Sequence, residues 1–277
     1  MTLMDVTFGA MLDGVLMSFA LYGITCIQVL RYYQSYPEDS LTLKVVVAAV
    51  WMLDTLQECL LVHAIWFYLI TQGNGNPFAL LYAVWSLIAQ VIPSDICIII
   101  VELFYIRRIW ILHNRDRRIS ILPILAVAAL VIGFVYVAKC FRFPAFSASV
   151  KQQWIVIVSA SCRAVVDLTI AVMTCRLLYQ SRKRVITEKV NSLIGTLIGY
   201  TMATGLLTSI VAVLYVGVYV AMPFNMIYIA IYFVHAKIYV NSMLSALNSR
   251  ATFRELIEQD IELQLPASMT LGQESEG

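Results

Sequence analysis

Charge is what this chain has least of. Only 13% of its 277 residues are Asp, Glu, Lys or Arg, whereas 61% are hydrophobic and the mean hydropathy is +0.82. A soluble domain carries roughly 25% charged and about 45–50% apolar residues. So few polar groups cannot cover a surface facing water, which excludes a soluble globular fold. Histidine is scarcer still: His63, His113 and His235 are too far apart in the reading below to converge on one ion, which argues against a metal centre of the seven-helix hydrolase type. No Gly-x-Ser-x-Gly or His-Glu-x-x-His string occurs and no nucleophile–base set is visible, so no catalytic residue is assigned and the chain does not read as an enzyme. No cofactor is expected. There is no Asn-x-Ser/Thr sequon. Cys26, Cys59, Cys97, Cys140, Cys162 and Cys175 all fall in apolar stretches, so no structural disulfide is expected. No basic n-region precedes the first apolar stretch, which is too long for a cleavable leader and reads as a retained first helix. Nothing suggests nucleic acid as a partner.

Long apolar runs are what the chain has instead. Seven are read as spanning helices, at about 10–31, 45–70, 79–106, 120–141, 152–179, 192–221 and 224–247. Each is long enough for the roughly 20 residues that cross ~30 Å of hydrocarbon. A β-barrel would need alternating segments, and Val91–Val101 does not alternate. The expected fold is therefore an all-α seven-helix membrane bundle over residues 1–249, followed by an acidic tail over 250–277.

The Lys and Arg residues give the bundle an orientation. Arg31 and Lys44, the cluster Arg107 to Arg118, the cluster Arg176 to Lys189, and Arg250 with Arg254 all fall on one side. The other side holds Lys139, Arg142 and Lys151. Short loops rich in Lys and Arg stay cytoplasmic, so the N-terminus is expected outside and the C-terminus inside. The basic loops suit anionic inner-leaflet lipid, and together with the acidic tail they offer a surface for a cytoplasmic protein partner. In the tail, Phe253, Leu256, Ile257 and Ile261 recur at helical spacing, so a short amphipathic helix is expected over 252–265, ended by Pro266.

Ionisable residues inside such spans cost roughly 2.5–3.5 kcal/mol each and mark pairs or cavities. Asp54 and Glu58 lie in span two, Asp95 and Glu102 in span three, Arg163 and Asp167 in span five, Lys237 in span seven. Arg163 and Asp167 are four apart and are expected to form an intramembrane ion pair along one helix face. Lys237 has no acid on its own helix; Asp54 is the first choice of partner and Asp95 the second. Asp54, Asp95, Lys237 and Asn241 are the candidates for a ligand or ion site, with a purely structural clasp as the alternative. Pro93, just before Ser94 and Asp95, predicts a kink. Gly195 and Gly199, and the stripe Ser242, Ser245, Ser249, read as close helix contacts.

Several strings carry a resemblance. They are Leu21-Tyr22-Gly23 with Gln28, Trp51-x-Leu53-Asp54-Thr55, Phe104-Tyr105-Ile106-Arg107-Arg108-Ile109-Trp110, Thr204-Gly205-Leu206-Leu207-Thr208-Ser209, and Lys237-x-Tyr239-Val240-Asn241-Ser242 closing with Leu247-Asn248-x-Arg250. Over about residues 9–250 the chain resembles an uncharacterised seven-span family of mushroom-forming fungi, catalogued as a domain of unknown function. It departs from that pattern at Glu102, Ala203 and Thr187-Glu188. The resemblance implies a fungal membrane protein and no reaction.

Function is read from architecture. A receptor or sensor in the plasma membrane or an endomembrane, with an unknown small-molecule ligand, is the first reading. A small-solute or proton-coupled transporter is the second. A retinal-type photoreceptor, using Lys237 with Asp95 as counter-ion, is a minor third.

Overall fold

The structure, a computed structural model, describes residues 9–71, 82–112, 117–146, 152–182, 207–222 and 225–274. Among these residues it is built from helices: α1 (Ala10–Ser35), α2 (Leu41–Trp66, tightening into a π-helical turn at Phe67–Thr71), α3 (Trp85–Ala89), α4 (Val91–Leu112), α5 (Ile121–Arg142), α6 (Gln153–Arg182), α7 (Leu207–Ala221) and α8 (Ile227–Glu274). Six segments are long and apolar enough to cross a membrane: Ala10–Ser35, Leu41–Thr71, Trp85–Ile111, Ile121–Arg142, Gln153–Arg176 and Ile227–Arg250. The remaining expected span, the sixth at 192–221, is described only from Leu207, where α7 is a shorter apolar helix. Gly195 and Gly199 lie outside the described residues.

Apolar side chains cover the outside of these helices, as lipid requires. Leu16, Met17, Ile27 and Leu30 of α1, and Ile124 and Val131 of α5, are all more than half exposed. Trp66, Trp85 and Trp154 are exposed as well, and the Lys139 ammonium lies 5.8 Å from the Trp154 ring centroid. An exterior this greasy is stable only in hydrocarbon.

Successive spans, with α3 and α4 counted as one, alternate in direction and give the bundle two ends. At one end, Tyr82 and Ala145 form an antiparallel bridge, Ala83 N–H donates to the Pro144 carbonyl (2.8 Å), and the Tyr68 hydroxyl clips the Tyr82–Val84 segment. At the other end the short turn Tyr36–Ser40 joins α1 to α2, and Arg250 reaches back to Asp39 (2.6 Å). Helix α8 packs most extensively on α1. Gly14 permits that approach: a Cβ there would sit 2.6 Å from the Ala230 Cα.

The kink expected in span three lies one turn before Pro93. The helix breaks at Gln90, between α3 and α4. The proline ring has no N–H and crowds the carbonyl four residues back, which is that of Ala89; Ser94 Oγ then bonds the Gln90 carbonyl (2.9 Å). A second correction concerns the C-terminal segment. Helix α8 does not end at Pro266 but runs on to Glu274. Inside a helix, proline removes one N–H and strands one carbonyl, and water can supply that partner outside the bilayer.

Two apolar clusters hold the ends together. Met11, Val15, Leu61, Tyr68, Leu87 and Phe233 pack near the Tyr82–Ala145 bridge. Val29, Val50, Cys97, Val101, Val240 and Leu244 pack toward Asp39. Between them, halfway along the helices, lies a layer of buried polar side chains.

Candidate functional site

Helix α8 divides this layer in two. At 3.6 residues per turn, Lys237 and His235 point to nearly opposite sides of the helix. Lys237, Asn241 and Asn248 face α1 and α2, whereas Tyr232, His235, Tyr239 and Ser242 face α4 to α7.

On the first side the Lys237 ammonium, fully buried, sits between two carboxylates: 2.5 Å from Asp54 Oδ1 and 2.7 Å from Glu58 Oε1. Asp54 and Glu58 are four apart and share one face of α2, so one ammonium serves both. Ser18 Oγ donates to Glu58 Oε1 (2.5 Å), and the Tyr22 ring centroid lies 5.3 Å from Nζ. Asn241, one turn on, donates to the Leu21 and Lys237 carbonyls (3.2 and 3.0 Å). The structure thus brings Asp54, Lys237 and Asn241 together and adds Glu58. The arrangement is sealed, and it ties α1, α2 and α8 into one unit.

Asp95 is not part of it. Asp95 Oδ1 takes the Arg163 Nη2 (3.0 Å) and the Tyr232 hydroxyl (3.1 Å) on the other side of α8. Two expectations change as a result. The Arg163–Asp167 pair is replaced by Arg163–Asp95, because Arg163 reaches across to α4 instead of along its own helix. Asp167 instead accepts from the Tyr239 hydroxyl. Nor is Asp95 the counter-ion of Lys237, the arrangement on which the retinal reading rested. Gly133 makes the Arg163–Asp95 pair sterically feasible, since a Cβ there would stand 2.5 Å from Asp95 Oδ2. Glu102, two turns beyond Asp95, lies within electrostatic reach of Arg163, and neither of its carboxyl oxygens has a hydrogen-bond partner. Ser242 bonds the Tyr105 hydroxyl (2.9 Å), while Ser245 is half-buried on the same helix.

Above the Arg163–Asp95 pair, toward the Tyr82–Ala145 bridge, lies a cavity of about 130 Å³. Its walls are largely apolar and aromatic: Leu87, Ile88, Val137, Val156, Tyr136, Tyr215, Tyr228 and Tyr232. Asp95, Arg163 and His235 belong to its lining, with Ser159 and Gln90 as further polar groups. Two nitrogens of these residues, Arg163 Nη1 and His235 Nε2, have no hydrogen-bond partner. An apolar pocket with a few convergent polar groups is the usual form of a small-molecule site. Sequence reasoning missed Arg163 and His235 as parts of such a site. The available signal is the joint presence of Arg163 and Asp95, a cation and an acid on different spans, at mid-span depth. Among the described residues no cluster of His, Cys, Asp and Glu could hold a metal ion, and no disulfide joins any of the six cysteines.

Fold and site together define a multipass α-helical membrane protein with a buried polar layer and an internal cavity. The model of a family of unknown function, DUF6534, matches residues 163–252, a stretch that includes Arg163, Asp167, Lys237 and Tyr239. No curated protein and no solved structure matches the chain.

Proposed function

We propose that this chain is a seven-span receptor or sensor, N-terminus outside and C-terminus in the cytoplasm, for a small molecule bound in the cavity above Arg163 and Asp95. The cavity is the observation that carries the reading. It lies toward the end of the bundle that holds few Lys and Arg residues, and its floor rests on α8, which runs on to the opposite end and contacts Asp39 there. Ligand contacts to α8 can therefore bias the far end, provided the two states differ in affinity for the ligand. The distribution of Lys and Arg supports the orientation, and the strings quoted above support membership of the fungal seven-span family they resemble.

The test is a distance measurement between spin labels at Ser120→Cys, at the start of α5, and Ser249→Cys on α8, in a cysteine-free background in lipid nanodiscs, with and without benzyl alcohol at saturating concentration. A sensor gives a shifted distance distribution. An unchanged distribution with the cavity filled refutes sensing. The ionisable groups Lys237, Asp54 and Glu58 halfway along the helices support the second reading, proton-coupled or small-solute transport. That reading requires vesicle flux that disappears in Asp54→Asn and Lys237→Met.

A further inference from the structure

We infer that the cavity takes a small neutral molecule, mostly apolar, whose single oxygen acceptor is held by Arg163. The inference rests on the reading of the cavity as a ligand site and adds the chemical class of the ligand. Three observations carry it. The first is size. An apolar cavity of roughly 150 Å³ holds benzene, so about 130 Å³, open on one side, suits one six-membered ring with a short substituent extending into the opening.

The second observation is charge. Among the lining residues the carboxylate of Asp95 and the guanidinium of Arg163 are already paired at 3.0 Å. An anionic ligand on Nη1 would set a second carboxylate beside Asp95 on one guanidinium, with Glu102 also within reach, and a cationic one would set a second cation beside Arg163. Either leaves one charge uncompensated in surroundings where such an ion is expensive. A neutral ligand leaves the pair intact.

The third is unused hydrogen-bonding capacity. Arg163 has five N–H donors; its Nη2 serves Asp95 and its Nη1 has no partner. His235 adds Nε2, also without a partner. A carbonyl or hydroxyl oxygen on the ligand completes this set, while the rings of Tyr136, Tyr215 and Tyr228 pack against its apolar body. A hydrocarbon of the same size fills the walls and leaves the floor unsatisfied.

Cys140 lines the same cavity and reports its occupancy. In the full chain in nanodiscs, with Cys140 as the only cysteine, the rate of modification by methyl methanethiosulfonate is measured against five probes of matched size. Acetophenone and benzyl alcohol are expected to slow it saturably, by ten-fold or more. Toluene is expected to need about ten-fold higher concentration, the worth of one hydrogen bond. Benzoate and benzylamine are expected to have no effect. The same ranking is expected in the unfolding temperature of the unmodified chain, which raises the same question without cysteine replacement. The Arg163→Met/Asp95→Asn double variant is expected to lose the preference for acetophenone over toluene.

Stronger protection by benzoate or benzylamine, or equal protection by toluene, overturns the ligand class while leaving the cavity as a site. No protection by any probe overturns the site itself. Equal protection of a chain whose only cysteine is Cys59, which is exposed, shows partition into lipid and also overturns it.

Discussion

Replacing Lys237 with Met removes one charge from the sealed cluster and little else, since the two side chains have similar length. At an effective dielectric of about 20, charges 2.5 and 2.7 Å apart attract by roughly 6–7 kcal/mol per pair. Against this stands the desolvation of three ions, several kcal/mol each, so the intact cluster contributes little net stability. The variant does not lose that small balance. It loses the only cation between Asp54 and Glu58, whose Oδ2 and Oε2 already lack partners. Removing one member of a buried ion pair costs about 3–5 kcal/mol. At about 2–4 °C per kcal/mol for a chain of this size, the unfolding temperature in nanodiscs should fall by about 6–20 °C. The triple variant Lys237→Met, Asp54→Asn, Glu58→Gln removes all three charges and should recover most of the loss. A Lys237→Met chain within about 2 °C of its parent, or a triple variant no better than the single one, refutes the argument.

Three further outcomes are expected. Gly14→Ala places a Cβ 2.6 Å from Ala230 backbone; separating α1 from α8 should cost about 1–3 kcal/mol, read as a lower unfolding temperature, whereas Gly23→Ala meets open space and should be neutral or stabilising. Gly133→Ala drives a methyl group against Asp95 Oδ2, so acetophenone should protect Cys140 less while the fold survives. At the Asp39 turn, burial disfavours the carboxylate, but hydrogen bonds from Arg250 and Tyr32 outweigh it and hold the carboxyl below the usual range. A lowered folded-state pKa gives stability that is present above the unfolded value near 3.9 and is lost as pH falls through the folded one. Asp39→Asn should thus be less stable than its parent at neutral pH by less than ~1 kcal/mol, since Arg250 is 41% exposed, and the two unfolding temperatures should converge only as pH falls from about 4 through the folded-state value.

The membrane character and most helix positions were legible because both follow from local composition. The described helices begin or end within several residues of the apolar runs, and even the kink near Pro93 follows from a single residue's missing N–H. Pairing was harder to read. Arg163 and Asp167 are one turn apart, and local spacing favoured them. What decided the matter was a glycine on a third helix, Gly133, which leaves room for Asp95 beside Arg163. No one-dimensional pattern records that three helices meet there. The cavity was invisible for the same reason, since its lining is drawn from α3 to α8, and the sequence separation between Asp95 and Tyr232 says nothing of their 3.1 Å contact. The Lys237 partner was easier, because an isolated mid-span cation has few acids to choose from.

The division of α8 into two faces limits how a ligand can act through it. Rotating the helix about its axis would carry Lys237 away from Asp54 and Glu58, at the cost estimated above for stranding those carboxylates. It would also break the Asn241 and Asn248 bonds to α1. Helices α1, α2 and α8 should therefore move as one body, and a ligand seated on Arg163 and His235 can shift that body only against α4 to α6. Across this boundary α2 sets Gln57 against Gln90, His63 against Ser86 and the Val50 carbonyl against the Cys97 thiol, while α8 contributes Tyr232 to Asp95, Tyr239 to Asp167 and Ser242 to Tyr105. Each of the α8 contacts is a tyrosine hydroxyl bonded to one polar partner. Small sliding of packed helices is the motion such contacts tolerate, and the Asp39–Arg250 contact, lying within the moving body, should survive it. A ligand that breaks Asp39–Arg250 while leaving the three tyrosine bonds in place would show the hinge to lie inside the α1–α2–α8 unit instead.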